Sequence, residues 1–299
     1  GLLGETNRFH PLVGFGRLTS WIESRFNRTT YSPRQLRCCG AIAWVILVTP
    51  VALVYYFFYQ PSLLFYMTDL LIVYIAIGHK SLKLHALAVY SPLKKSDMQQ
   101  ARNAIQMIVS RETSQLSESE ISRATVESVL ENGHDAVIAT LFWYLIGGAP
   151  AVIIHRLANT LDAMWGYKNE RYFNFGWFAA RADDWLGWPS AKLTGLLYIL
   201  SHFTAWLKLK RILTNAYVQS HRYKSLNGGW VMSAGAGALN IELGGNACYH
   251  GKTVTSVTLG EGKAPNVDDI QRATSLVTAT SQLFIVILLF TGIIFQSVL

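Results

Sequence analysis

Long stretches of the chain carry no charge, and their lengths match helices that cross a membrane. Residues 38–79 contain one charged side chain, Asp69, in 42 positions. A membrane helix needs about 20 apolar residues, so this stretch is long enough for two crossings. Pro61 disfavours helix at the residue before it, which predicts a turn between spans near 39–60 and 62–79.

Three further apolar stretches predict spans near 136–155, 190–207 and 277–298. Glycines and a proline interrupt the first at 147–150, so we expect it to be broken or re-entrant. The second is weaker, because Pro189 and Lys192 lie near its start. We predict an all-α polytopic membrane protein with about five transmembrane or re-entrant helices and amphipathic cytoplasmic helices, built as a single domain over 1–299.

Composition supports a membrane protein and excludes other classes. Hydrophobic residues make up 51% of the chain and charged residues 15%, whereas soluble domains carry about 25% charged residues. The 9 Trp, 14 Tyr and 14 Phe exclude disorder, and three cysteines, two of them adjacent, exclude a disulfide scaffold. The net charge of +8 indicates membrane orientation and anionic headgroups or substrates. No nucleic-acid partner is expected, since no basic helix or stacking module accompanies that charge.

The distribution of basic residues gives a first topology. Residues 1–38 carry six Arg and two Glu, and residues 208–279 carry eight basic and four acidic residues. Both are therefore expected on the cytoplasmic side. With five spans, the same count places 80–135 inside and 157–185 outside. No signal peptide is evident, and because the chain begins within a polar, Arg-bearing segment we expect a further segment upstream.

A capping pattern predicts a helix that starts near Glu118. Ser117, followed three residues later by Glu120, is the reciprocal pair that satisfies free amides at a helix start. The polar residues that follow share one face of this helix or lie just beyond it: Arg123, Glu127, Glu131, Asn132 and Asp135. They form either a solvated face with an Arg123–Glu127 pair or a site for a charged ligand.

A second polar segment lies between an apolar run and several aromatic residues. Ionisable groups at membrane depth are costly and usually face a cavity or a partner, whereas Tyr, Trp and Arg together are also typical of an interfacial belt. The residue pattern leaves both interpretations open. The polar residues are Asn159, Asp162, Lys168 and Arg171, followed by Arg181, Asp183 and Asp184.

A third segment, residues 225–251, is rich in small residues. These residues either let helices pack closely or let main-chain amides approach an anion. The segment contains neither the Gly-Lys-Ser/Thr of a Walker loop nor a Gly-x-Gly-x-x-Gly fingerprint. The histidines, His134 and His155 among them, show no metal-ligand spacing and are expected to be structural or interfacial.

The order of motifs resembles the CbiB/CobD family of cobalamin biosynthesis, the adenosylcobinamide-phosphate synthases. The matching motifs run from His10-Pro11 to Asp268-Asp269-Ile270 and so cover nearly the whole chain. The specific ones are Arg111-Glu112-Thr113-Ser114-Gln115-Leu116, Val126-Glu127-Ser128-Val129-Leu130-Glu131-Asn132, Leu141-Phe142-Trp143, Gly147-Gly148-Ala149-Pro150, Asn159-Thr160-Leu161-Asp162, Gly166-Tyr167 and Ala180-Arg181 with Asp183-Asp184.

The resemblance implies an integral membrane ligase that uses ATP and Mg²⁺. It would join a propionate carboxyl of adenosylcobyric acid, the corrinoid substrate, to the amine of (R)-1-amino-2-propanol O-2-phosphate or a related amino-alcohol phosphate. The product would be adenosylcobinamide phosphate, made at the cytoplasmic face of the bacterial inner membrane. A homo-oligomer, or a complex with other membrane enzymes of the corrinoid pathway, is compatible with this function.

The resemblance also implies the site residues. The expected metal ligands are Glu127, Glu131, Asp135 and Asp162, and the expected catalytic carboxylates are Asp162, Glu131 and Asp135. The expected substrate-binding residues are Arg111, Thr113, Ser114, Gln115, Arg123, Asn132, Asn159, Lys168, Arg171 and Arg181.

These implied roles conflict with the charge-based topology. Because ATP is cytoplasmic, we expect 127–135 and 159–171 to reach the same side of the membrane or a shared cavity. The charge count instead places 157–185 outside. A broken or re-entrant helix over 136–155 reconciles the two, since irregular backbone is tolerated at membrane depth where it lines a cavity.

The chain departs from the family pattern mainly within 225–250. Ser225-Leu226-Asn227 stands where Ser-Pro-Asn is usual, and Gly245-Asn246-Ala247 lacks the usual Gly-Pro-Asn order. These differences leave an alternative, a catalytically inactive paralogue that acts as a membrane sensor or assembly partner like the AmpE-type proteins. A small-molecule transporter is a third hypothesis, although the two halves show no inverted repeat.

Overall fold

The computed structural model describes residues 11–58, 60, 62–109, 112–202, 206–249 and 252–298, most of them helical. The α-helices in these segments are α1 (Pro11–Phe26), α2 (Pro33–Phe58), α3 (Leu63–Ala76), α4 (His79–Lys94), α5 (Met98–Gln106), α6 (Glu118–Gly133), α7 (Ala139–Trp165), α8 (Trp177–Ser201), α9 (Trp206–Arg222), α10 (Leu226–Leu239) and α11 (Val267–Val298). A π-helical turn, His134–Ile138, joins α6 to α7.

Four helical stretches in the described residues are long and apolar enough to cross a membrane: Pro33–Phe58, Leu63–Lys94, Glu118–Trp165 and Val267–Phe290. They overlap the predicted spans near 39–60, 62–79, 136–155 and 277–298. The fifth predicted span, 190–207, begins within α8, which is not among the four, and its part at 203–205 lies outside the described residues. The prediction of an all-α polytopic membrane protein is confirmed.

The apolar surface of these helices explains why they require lipid. None of the described residues of α3 is buried, and Ile46 and Val54 of α2 expose 47% and 59% of their surface. Contiguous apolar surface of this extent is rare on a soluble monomer. Lipid tails therefore cover the faces that protein does not.

The interruption of α7 lies where the sequence places glycines and a proline. Gly147 has φ −148° and ψ 24°, and Gly148 has φ 62° and ψ −157°, so neither residue is helical. Gly148 adopts its positive φ without the strain that a Cβ would cause. The helix therefore breaks just before Pro150.

Two small antiparallel sheets follow α10, in a segment where no strand is predicted from the sequence. β1 (Glu242–Leu243) pairs with β4 (Leu259–Gly260), and β2 (Asn246–Tyr249) pairs with β3 (Lys252–Thr255). Gly244 and Gly245, with φ of 74° and 78°, form the link between β1 and β2. Their positive φ angles turn the chain in a way that other residues adopt only with strain.

The chain divides into two compact units, Gly1–Ile77 with Ala139–Trp188 and Gly78–Ile138 with Pro189–Leu299. In the first unit α1, α2, α3 and α7 pack together. Their core includes Leu47, Leu161 and Trp165, and Trp165 meets Phe175 edge to face at 4.9 Å. The expected single-domain organisation stays a prediction.

In the second unit α10 packs against α6, α9 and α11. A Cβ at Gly235 would lie 2.7 Å from Leu130 of α6, and a Cβ at Gly237 would lie 2.7 Å from Ile212 of α9. Both distances are shorter than van der Waals contact, so glycine at these positions lets the side chains of the neighbouring helices lie this close without moving. The small residues of α10 therefore serve close helix packing, which is one of the two interpretations of this segment.

Candidate functional site

The start of α6 forms as its capping pattern predicts. The Glu120 amide donates to the Ser117 hydroxyl at 3.4 Å, and the Ser117 amide donates to the Glu120 carboxylate at 2.9 Å. These bonds satisfy two of the amides that a helix start leaves without partners. Because the helix begins at Glu118, Glu127 and Glu131 lie one turn apart on the same face.

Three carboxylates in the second unit form what we term the acidic face: Glu127, Glu131 and Asp135. Glu131 lies within electrostatic range of the other two and of Lys224, the residue before the N-cap of α10. Like charges this close repel one another unless cations or hydrogen-bond donors compensate them. The acidic face is therefore suited to bind a cation or a protonated amine.

Glu127 and Arg123 both bind the main chain at Gly244. The Gly244 amide donates to Glu127 Oε1 at 2.8 Å, and Arg123 Nη1 donates to the Gly244 carbonyl at 3.1 Å. Arg123 Nε is buried, and no described residue accepts a hydrogen bond from it. Arg123 thus keeps a donor available beside the glycine link, while its other contact holds that link against α6.

Gly228, in the first turn of α10, makes room for Glu131. A Cβ at this position would lie 2.8 Å from Glu131 Oε1. The carboxylate therefore reaches the start of α10, where amides and the helix dipole favour negative charge. The Ser225 hydroxyl caps this helix by accepting the Gly228 amide at 3.1 Å.

Asp135 lies in the π turn next to a buried histidine. His134 Nδ1 is 2.7 Å from Asp135 Oδ1, and His134 Nε2 is 2.9 Å from Ser190 Oγ. The Asp135 side chain is 27% exposed and that of His134 only 2%. The carboxylate is therefore the most exposed member of this group.

The predicted substrate-binding residues before and along α6 are held in different ways. The side-chain Nδ2 atom of Asn132 donates to the Ser128 carbonyl at 2.8 Å, and the buried Thr113 hydroxyl donates to the Arg102 carbonyl at 3.2 Å. Both contacts stabilise local backbone. Ser114 and Gln115 are exposed, and Arg111 lies outside the described residues.

The second predicted cluster lies in the first unit. Asn159 Nδ2 donates to Asp183 at 3.3 Å, and the half-buried Asp162 carboxylate packs against Gly166, where any side chain would overlap it. Lys168 and Arg181 lie within electrostatic range of Asp184. These contacts pair Asn159 with Asp183 and place Lys168 and Arg181 near Asp184, and the role of these residues in a site stays a prediction.

Arg171 of the same cluster is already paired. Its Nε and Nη2 atoms donate to the buried Glu23 carboxylate at 3.1 and 2.7 Å. This two-bond contact with Glu23 raises the pKa of the Arg171 guanidinium. Asn27 also joins the pair, since its Nδ2 atom donates to Glu23 at 2.8 Å and to the Arg171 carbonyl at 3.0 Å. The arginine thus stabilises the first unit whether or not it also meets a ligand.

The predicted metal ligands divide between the two units. Asp162 belongs to the first unit and the acidic face to the second. Within the described part of the chain, no three His, Cys, Asp or Glu side chains are placed to hold a metal ion together. Mg²⁺ at phosphate-transfer sites commonly takes one or two carboxylates and completes its shell with phosphate oxygens and water. Neighbouring members of the acidic face meet that smaller requirement.

Sequence reasoning missed three residues of the second unit that surround the acidic face. The sequence indicates a structural or interfacial role for His134, and no sequence pattern singles out Ser190 or Lys224. His134 is adjacent to Asp135 in the chain, which is a local signal. Ser190 and Lys224 are distant in sequence, and only the packing of α8 and α10 brings them near.

Comparison with known proteins gives a consistent result across the chain. A family model described as CobD/Cbib protein matches residues 1–277. The cobalamin biosynthesis protein CobD of Stutzerimonas stutzeri is 44% identical over 97% of this chain and 94% of its own length. The protein of the same name from Chromobacterium violaceum is 46% identical over 92% of this chain and 88% of its own length.

A more distant relative, the cobalamin biosynthesis protein CobD of Halalkalibacterium halodurans, is 36% identical over 95% of this chain and 90% of its own length. No solved structure matches at a significant level. The resemblance seen in the motifs thus extends over the chain at identities that establish common descent. The chain belongs to the CobD/CbiB family.

Proposed function

We propose that this protein acts in cobalamin biosynthesis as an ATP-dependent amide ligase. It joins adenosylcobyric acid to (R)-1-amino-2-propanol O-2-phosphate, or a related amino-alcohol phosphate, to give adenosylcobinamide phosphate. The observation that carries the proposal is the acidic face with Arg123 and Lys224 beside it, in a chain of this family. The carboxylates are suited to bind a metal ion and an amine, and the neighbouring Arg123 and Lys224 are suited to bind phosphates. These charges are complementary to those of the substrates.

Amide formation from a carboxylate requires an activated acyl group, and phosphoryl transfer depends mainly on positioning and charge neutralisation. Bound Mg-ATP would supply the phosphoryl group for this activation. The donor set fits that ligand, because Arg123 keeps a buried Nε donor available and Glu131 and Asp135 offer carboxylate oxygens to Mg²⁺. Glu127 contributes less, since Oε1 already accepts the Gly244 amide.

Side chains of the protein then bind the amine substrate and accept its proton. The nucleophilic amine arrives as an ammonium and must lose a proton before it attacks, and a nearby carboxylate accepts it. Asp135 and Glu131 in the second unit, and Asp162 in the first, are the proposed acceptors. Asn159, Lys168 and Arg181 are proposed to bind the corrinoid or the amino-alcohol phosphate.

The test is a reconstitution. Purified protein in lipid nanodiscs receives adenosylcobyric acid, aminopropanol phosphate and Mg-ATP, and amide product is measured by mass spectrometry. We expect product from the wild type and at least about 100-fold less from Glu131→Gln, which removes one charge from the acidic face. Absence of product from wild-type protein that binds both substrates would instead establish the inactive paralogue.

We also propose that the reaction takes place at the cytoplasmic face of the bacterial inner membrane, where ATP is present. A cysteine placed at Asn169 in a variant lacking the native cysteines reports this. Labelling of inside-out vesicles by a membrane-impermeant maleimide is expected. Labelling only from the periplasmic side would contradict a cytoplasmic placement of this segment.

A further inference from the structure

The π turn that follows α6 brings two adjacent side chains into contact. Neighbouring residues on an α-helix do not face each other, yet His134 Nδ1 and Asp135 Oδ1 lie 2.7 Å apart. The contact is at the first two residues of the turn His134–Ile138. Such turns are rare and frequently occur at functional sites.

Contacts from distant parts of the second unit hold the turn in place. The Gly78 amide donates to the Ala136 carbonyl at 3.0 Å, inside the turn. The preceding Gly133 permits a close approach of α8 and α11, because a Cβ there would lie 2.6 Å from both Tyr198 Oη and Val277 Cγ2. The turn is therefore held by packing on several sides.

Ser190, His134 and Asp135 form a hydrogen-bonded series that runs from the interior to an accessible carboxylate. Ser190 is completely buried and His134 is 2% exposed, while the Asp135 side chain is 27% exposed. His134 Nδ1 faces Asp135 and Nε2 faces Ser190, so the tautomer that carries its hydrogen on Nδ1 would donate to the carboxylate and accept a hydrogen bond from the Ser190 hydroxyl. This arrangement uses both ring nitrogens and orients the imidazole.

The depth of Ser190 decides which role the series can have. A serine nucleophile must touch its substrate, and this hydroxyl lies beneath the imidazole at zero exposure. The exposed group is the Asp135 carboxylate, and the other two members lie behind it. In a hydrolase triad the serine is the exposed member, whereas here the carboxylate is exposed and the serine is buried.

We propose that His134, anchored by Ser190, is a positioning residue that fixes the direction of the Asp135 carboxylate in the ligase reaction. This inference rests on the proposed function. Neither residue touches substrate. Their effect is to hold Asp135 in one orientation, since groups that support a reacting side chain determine whether it lies in productive geometry.

Paired substitutions of His134 separate its two contacts. In His134→Asn the amide replaces the Nδ1 donor to Asp135, and in His134→Gln it reaches toward Ser190 instead. We expect His134→Gln to lower kcat about 100-fold with KM for either substrate nearly unchanged. His134→Asn and Ser190→Ala should each lose only about two- to tenfold, the scale of one hydrogen bond.

A double substitution tests whether His134 acts through Asp135. If it does, His134→Gln adds little to the kcat loss of Asp135→Asn, because the group that it positions is already gone. Fully additive losses, or losses that follow the melting temperature across all variants, would overturn the proposal and leave a packing role. A kcat that is largely kept in His134→Asn and lost in His134→Gln is a result that a packing role alone does not predict.

A spectroscopic measurement is independent of catalysis. In ¹⁵N-histidine-labelled protein in nanodiscs, with His134→Gln used to assign the signals, Nδ1 should be protonated and Nε2 an acceptor. Asp135→Asn should shift Nδ1 and Ser190→Ala should shift Nε2. No shift in either variant overturns the inference, whereas shifts in a protein that makes no amide would reject only the ligase.

Discussion

Replacing Gly228 with alanine should separate activity from stability at the acidic face. The new Cβ would lie 2.8 Å from Glu131 Oε1, and ordinary contacts of such an atom begin at 3.4 Å. The carboxylate must therefore retreat by roughly half an ångström or more. The added methyl group meets the far end of a flexible side chain, so the helices themselves need not move.

The two effects of the methyl group on stability nearly cancel. Alanine in place of a helical glycine stabilises by about 0.5–1 kcal/mol, and displacing the Glu131 side chain from its preferred rotamer costs about 0.5–1.5 kcal/mol. We expect the free energy of unfolding to change by less than about 1 kcal/mol. A misplaced reacting group loses about 100-fold per ångström, which predicts a kcat roughly 10- to 100-fold below wild type.

Amide product is measured by mass spectrometry and unfolding by thermal denaturation in the same nanodiscs. Gly14→Ala is the matched control, because it lies in α1, gains the same helix propensity and has no neighbour within 4 Å. The control should keep full activity. A fully active Gly228→Ala protein of unchanged stability would refute the placement of Glu131 in the site.

Three further substitutions test other parts of the structure. Gly244→Ala adds a Cβ at φ 74° that overlaps the Val257 carbonyl. It should lower the melting temperature and the activity together, and an unchanged melting temperature would contradict the close contacts described at Gly244. Arg171→Ala deprives the buried Glu23 carboxylate of two hydrogen bonds and should cost about 1–2 kcal/mol in chemical denaturation. A raised KM for the amino-alcohol phosphate without loss of stability would instead give Arg171 a binding role. Tyr198→Phe removes a buried hydrogen bond of 2.9 Å to a main-chain carbonyl of α6. It should destabilise by about 1 kcal/mol by the same measurement, and an unaltered free energy of unfolding would show that this bond contributes nothing.

Features that depend on nearby residues can be predicted from the sequence alone. The helix start at Glu118 follows from Ser117 and Glu120, which bond each other within one turn. The break in α7 follows from Gly147 and Gly148, whose neighbours include a proline. Spans follow from long uncharged stretches, since the bilayer excludes charge along the whole length of a helix. Periodicity also places Glu127 and Glu131 on one face.

The distant groups that those residues contact are known only from the fold. The sequence suggests an ion pair between Arg123 and Glu127, and the fold brings both to Gly244, more than 100 positions further along the chain. The sequence suggests that Arg171 binds phosphate, whereas in the structure its guanidinium is bound to the Glu23 carboxylate. The sequence suggests a structural or interfacial role for His134, whereas the fold places Ser190 in contact with its imidazole. Such contacts depend on how helices pack, because most buried polar groups bond to residues that packing brings close, and local sequence patterns do not encode those partners.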